Sequence, residues 1–140
     1  MVPSHSVPPH VHRVQVYYED TDLSGAVYHA NYLKYFERAR EHLFGPDRLV
    51  ELWEEGRGFV VYKAALTFRS PATLGDILEV RTTWRKDGRF WAVFDQAAWR
   101  EGERRALVEG EIQLACVDGS GQLVPIPELP AAEGASTLDP

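Results

Sequence analysis

The chain has 140 residues, of which 44% are hydrophobic, and a formal net charge of −6 at neutral pH. That length fits one domain with a sizeable core, and the acidic balance argues against a general nucleic-acid surface, which needs a clustered basic face. Cys116 is the single cysteine, so no intrachain disulfide can form, and no apolar run is long enough to span a bilayer.

Residues 1–11 are rich in Pro and His, lack the apolar core of a signal peptide and read as a flexible leader. A cytoplasmic protein is the default. His5, His10 and His12 could bind a metal adventitiously, but a mobile leader is the better reading. Residues 13–18 alternate as a strand does, through Val14, Gln15, Val16 and Tyr17. The strand stops at a carboxylate cluster, Glu19-Asp20-Thr21-Asp22, and a turn at Ser24-Gly25 follows. Asn31 is placed to cap an amphipathic helix starting near Tyr32. Leu33, Phe36, Ala39, Arg40 and Leu43 follow helical spacing, with Lys34, Glu37, Arg38 and Glu41 mostly opposite. Gly45-Pro46 ends that helix, and residues 47–55 read as a short second one closed by Gly56.

From Phe59 onward the pattern is strands. Residues 59–69, 77–86, 89–100 and 104–117 are divided by Ser70-Pro71, Asp87-Gly88 and Glu101-Gly102. Leu78, Val80, Thr82 and Trp84 share one face of the second of these strands, and Glu79, Arg81, Thr83 and Arg85 the other. Residues 12–124 therefore form a single α+β domain, and residues 125–140 a loosely held tail. One long helix and an antiparallel meander are reconciled when the sheet curls around the helix. Long strands with exposed edges also need cover, which points to a dimer formed through the sheet.

Asp22 alone would read as an Asx-turn residue. Its context adds chemistry: a carboxylate just before Gly25, His29 and the positive end of a helix dipole suits an acyl-transfer site. Such a carboxylate can attack a carbonyl or deprotonate a water. His29 can act through its imidazole or through its backbone N–H. Asp20 reads as structural, bonding loop N–H groups or Arg40. Glu37 lies in a charge run, so a solvated face competes with a role in orienting water. Arg85, Lys86 and Arg89 flank the Asp87-Gly88 hairpin; they are either solubility chemistry or a local phosphate-selecting cluster. Trp84 and Trp91 read as core before they read as stacking platforms. Cys116, inside an alternating apolar run, reads as a buried inert thiol. Neighbouring donors in a strand point to opposite faces, so no metal site is expected.

Taken together, Tyr17-Tyr18-Glu19-Asp20-Thr21-Asp22, Gly25, Tyr28-His29-Ala30-Asn31-Tyr32 and Phe36-Glu37-Arg38-Ala39-Arg40 closely resemble the YbgC-like and 4-hydroxybenzoyl-CoA thioesterase family of hotdog-fold acyl-CoA thioesterases. The resemblance covers residues 14–117 and is densest in the first third. It implies a hotdog fold, with a five-stranded antiparallel sheet wrapped around one long helix. It also implies a homodimer or homotetramer with active sites at the subunit interface, and no cofactor. The family's catalytic carboxylate falls on Asp22, and its carbonyl-polarising N–H falls on His29. A histidine at that position favours the YbgC-like branch. Gly25, Asn31 and Glu37 would support the site. Arg85, Lys86 and Arg89 would contact coenzyme A. The expected reaction is hydrolysis of a small or aromatic acyl-CoA to free acid and CoA, with Asp22 as nucleophile or general base. Two alternatives remain: a thioesterase for acyl carrier protein, with Arg100, Arg104 and Arg105 as basic candidates, and a non-catalytic acyl-CoA-binding module. No nucleic-acid partner is expected.

Overall fold

The computed structural model describes residues 8–129. Residues 1–7 of the expected leader, His5 among them, and residues 130–140 of the expected tail lie outside the described residues. In chain order the elements are β1 (His10–Gln15), a 3-10 turn (Tyr18–Asp20), α1 (Asn31–Phe44), α2 (Pro46–Glu54), β2 (Arg57–Phe68), β3 (Ile77–Asp87), β4 (Trp91–Arg100), β5 (Ala106–Asp118) and β6 (Leu123–Val124). The sheet runs β1-β3-β4-β5-β2, with β6 paired on β5. Every pairing is antiparallel. This is the hotdog fold that the resemblance implies.

Alternation explains how the sheet holds α1. Leu78, Val80 and Thr82 on β3, Phe94 and Ala98 on β4, and Val108, Ile112 and Leu114 on β5 are buried. The apolar members join Tyr32, Tyr35, Phe36, Ala39, Leu43 and Phe44 of α1 in one core cluster. Gly110 on β5 marks the closest approach of helix and sheet: a Cβ there would sit 2.9 Å from Cε2 of Phe36.

Three expectations are corrected. First, β1 begins at His10, inside the expected leader, and pairs His10 with Thr82 and Val11 with Arg81. The reason is β3, whose length offers backbone partners well beyond the point where β1's own alternation becomes readable. Second, Leu33 is 44% exposed, whereas Tyr35 is 1% exposed. The loop around Asp20 covers the Tyr35 side of α1, and burial together with the Asp20 carboxylate raises the Tyr35 pKa. Third, the described start of the tail is not loose. Ile126 is buried, its N–H donates to the Arg89 carbonyl at 2.9 Å, and Leu129 packs against the core.

β2 is the outer strand on the far side from β1. Both of its faces are largely bare: Val60 is 44% exposed, Val61 52%, Tyr62 65% and Phe68 50%. Its register on β5 shifts between Val61 and Lys63, which leaves Tyr62 as a bulge with its ring against Trp91. Among the described residues no helix is long and apolar enough to cross a membrane.

Candidate active site

The loop between β1 and α1 is built by short-range hydrogen bonds. Asp22 N–H donates to the Ala26 carbonyl and Gly25 N–H to the Asp22 carbonyl, each at 2.9 Å. Gly25 carries φ +85°, a left-handed conformation that glycine takes without strain. The loop is then fastened to the β2–β3 junction. Val27 N–H donates to the Ala72 carbonyl at 2.9 Å, and Ala26 bridges Thr73.

Asp22 stands exposed at the tip of this loop. Its Oδ1 accepts both the Ser24 N–H at 2.8 Å and the Ser24 hydroxyl at 2.5 Å. These bonds, the hydroxyl first, hold the carboxyl below its ordinary value, and the nearby His29 adds to the effect. One oxygen is thus anchored, while Oδ2 meets no protein donor among the described residues. The Asx-turn reading thus accounts for Oδ1, and it leaves Oδ2 available to a ligand.

The start of α1 lies beside this carboxylate. Asn31, Tyr32 and Leu33 N–H groups close tight turns onto the Tyr28, His29 and Ala30 carbonyls at 2.8, 3.3 and 3.2 Å. The N–H groups of His29 and Ala30 find no acceptor among the described residues. The imidazole of His29 is occupied differently: it tilts on the Tyr28 ring with centroids 4.5 Å apart and meets the Phe68 ring edge-on at 6.1 Å. The side chain is thus held on an aromatic wall while the two amides remain open.

Asn31 does not cap the helix; the N-cap is Ala30 and no side chain bonds it. Instead Asn31 Nδ2 donates to the Asp20 carbonyl at 3.0 Å and reaches Asp20 Oδ1 at 3.4 Å. The first helical N–H groups are already satisfied by the tight turns, so the amide is released to tie the helix start to the loop. Asp20 also accepts the Tyr17 N–H at 2.8 Å. It does not bond Arg40, which is buried and donates to Gln96.

A cleft of about 280 Å³ opens beside His29, lined by Val27, His29, Tyr32, Phe68, Arg69 and Ser70 with Pro71; Asp22, Gly25 and Asn31 are not among its lining residues. The last four of these were legible only as a strand end and a turn; their approach to His29 is tertiary. Glu37 is elsewhere. It lines a larger cleft of about 480 Å³ between α1, α2 and the first half of β2, with Arg40, Phe44, Trp53, Phe59 and Val61 on its walls. Arg85, Lys86 and Arg89 are also remote within the protomer. Arg85 lies eight residues along β3 from Ile77, roughly 27 Å at strand rise. Arg85 is engaged by Asp95 at 3.1 Å and Glu111 at 3.7 Å, and Lys86 by Glu128 at 3.9 Å. Arg89 lies against the Phe90 ring. Cys116 is buried, which raises its thiol pKa. No group of three or more His, Cys, Asp or Glu side chains among the described residues is arranged to hold a metal.

Comparison with known proteins agrees with the fold. A profile described as the thioesterase-like superfamily matches residues 16–132. The acyl-CoA thioesterase YbgC of Helicobacter pylori (strain ATCC 700392 / 26695) is 46% identical over 84 residues, covering 60% of this chain and 62% of that protein. The match to that relative thus spans a little under two thirds of its length. The acyl-CoA thioesterase YbgC of Haemophilus influenzae is 39% identical over 118 residues, covering 81% of this chain and 83% of that protein. Among solved structures, a probable thioesterase from Bartonella henselae superposes with a TM-score of 0.77 at 28% identity, covering 85% of this chain and 99% of that one.

Proposed function

We propose that this chain, which belongs to the thioesterase-like superfamily and within it to the YbgC-like branch, hydrolyses acyl-CoA thioesters at the cleft beside Asp22 and the start of α1. The observation that carries the reading is the pairing of two unsatisfied amides, on His29 and Ala30, with a carboxylate that keeps one oxygen free.

In this reading the thioester carbonyl oxygen sits on the His29 and Ala30 amides, at the positive end of the α1 dipole. Negative charge that develops on that oxygen is stabilised by donors already in place; losing one such donor typically costs about two to three orders of magnitude in rate. Asp22 Oδ2 either attacks the carbonyl carbon, expelling the CoA thiolate and leaving a mixed anhydride that water then cleaves, or removes a proton from the attacking water. Ser24 holds the other oxygen and so fixes the direction of the free one. The aromatic contacts of the His29 ring favour the backbone role at that position over the imidazole role.

The bare strand β2 supports a homodimer joined edge to edge. Two-fold antiparallel pairing centred near Ala64 would lay residues 59–61 of one β2 against residues 67–69 of the other. The large cleft of one protomer would then adjoin the small cleft of its partner, giving Glu37 a place near the site that it lacks within one chain. The same pairing would bring the Asp87-Gly88 hairpin of the partner to the site's end of the sheet, where Arg89 could meet a coenzyme phosphate.

Asp22→Asn tests the reading. Hydrolysis of a short acyl-CoA should drop at least about a hundredfold in kcat with KM little changed; near-normal turnover would refute the assignment. Single-turnover hydrolysis in ¹⁸O-labelled water separates the two routes, because only the anhydride places label in Asp22.

A further inference from the structure

Among the described residues four polar or charged side chains are buried, and three of them, Arg40, Thr82 and Gln96, form one network. Gln96 on β4 is its centre. Its amide NH2 donates to the backbone carbonyl of Phe36 on α1 and to the hydroxyl of Thr82 on β3, both at 3.0 Å. Its amide oxygen accepts from Nη1 of Arg40 on α1, also at 3.0 Å. The orientation of the amide is fixed by chemistry, since a carbonyl only accepts and a guanidinium only donates. Burial lowers the Arg40 pKa, opposed by the nearby Glu37 charge.

Replacing such a buried network as a whole by well-packed apolar side chains is often neutral or stabilising, whereas removing one member leaves its partners unsatisfied. Directional bonds add something an apolar contact does not, namely register. Gln96 grips α1 twice, at Phe36 and at Arg40, on one face one turn apart. Gly110 presses the same point from β5, where a Cβ would come within 2.9 Å of the Phe36 ring. A slip or rotation of α1 breaks both grips and collides there.

We propose that Gln96 is a positioning residue. It sets the axial and rotational register of α1 on the sheet, and so holds the open amides of His29 and Ala30 against the free oxygen of Asp22. The catalytic half of this inference rests on the hydrolase reading above. Phe36 lies seven residues after His29, about 10 Å along the helix, and most of that length is rigid backbone, so a shift at Phe36 is carried to the first turn. Asn31 ties the helix start to the Asp20 loop, which is fastened to the β2–β3 junction at Ala72 and Thr73; Gln96 ties the middle of α1 to the middle of the sheet. A misplacement of about 1 Å can lower turnover about a hundredfold.

The experiment compares Gln96→Glu, Gln96→Leu and Thr82→Val. Gln96→Glu keeps an acceptor for Arg40 but turns an acceptor toward the Phe36 carbonyl. Gln96→Leu removes all three bonds while keeping the volume. Thr82→Val spares both grips on α1. Each is measured for kcat and KM on a short acyl-CoA, for thermal unfolding, and for amide hydrogen exchange at residues 31–33. Both Gln96 variants should lower kcat about 10- to 100-fold with KM within about threefold. Exchange at residues 31–33, whose N–H groups are bonded in the wild type, should rise at least about tenfold while β5 stays protected. Thr82→Val should remain within about threefold of wild type in kcat. Unchanged first-turn exchange, or activity lost only in proportion to the unfolded fraction, overturns the proposal. Where Gln96→Leu does not fold, Gln96→Glu decides. The exchange arm needs no substrate: if the wild type fails to hydrolyse acyl-CoA, the hydrolase reading falls, and the register claim is still judged by residues 31–33.

Discussion

Asp22 has one carboxylate oxygen held by Ser24 and the other left for the proposed chemistry. The Ser24 hydroxyl and N–H both bond Oδ1 and pull the carboxyl below its ordinary value of 3.8. Activity that needs the ionised form is then present at neutral pH and is lost only as pH falls through that lowered value. Ser24→Ala removes the stronger of the two donors. The acid limb of kcat/KM should move upward, toward about pH 4, while activity near pH 7 falls only a few-fold. A limb that stays put when measured down to about pH 3 would show that Ser24 does not govern the working carboxylate. The motif around Asp22 was readable because its bonds are local: residue 22 reaches residue 24, and residue 25 reaches residue 22. Asn31 was misread as a cap because its partner, Asp20, lies eleven residues back.

At the level of elements, periodicity and turn residues located the helices and strands, since each is a short-range signal. What they could not show is which element supplies the other half of a contact. β1 is the clearest instance. His10 and His12 looked like part of a leader, yet β3 provides backbone partners for both. The His12 ring stacks on His42 of α1 with centroids 4.2 Å apart. Burial first, then His42, His10 and Arg38, lower the His12 pKa from 6.5 to about 4. A depressed histidine disfavours the proton in the folded state, so its penalty is absent above pH 6.5 and grows as pH falls toward 4. His12 is only half buried, and screening reduces the effect to about 1–2 kcal/mol. Tm should therefore drop between pH 7 and pH 4 by more in the wild type than in His12→Asn, measured by thermal melts in matched buffers; parallel curves would exclude the stack as the cause. The Gln96–Phe36 bond was equally hidden, because its partners are sixty positions apart. So was the cleft, whose wall at Phe68, Arg69 and Ser70 meets His29 only after folding.

For the whole molecule, the asymmetry of the sheet matters most. β1 at one edge is short and docked on α1, while β2 at the other is long and bare on both faces. A long exposed edge strand is what the proposed edge-to-edge dimer would cover. The wild type should scatter light as at least twice its 15.9 kDa chain mass. Val60→Lys combined with Ala65→Lys places like charges along the proposed seam and should yield monomers with most hydrolysis lost. A wild type that is monomeric at micromolar concentration, or a variant that stays associated and active, would remove β2 from the interface.

Ribosomes release chains one at a time. If β2 pairs with a second copy, each new chain carries an unsealed strand until it collides with another, a step second order in concentration. On that pairing, scarce expression would leave the protein incomplete rather than merely rare, and crowded expression would put the same strand at risk of joining the wrong neighbour.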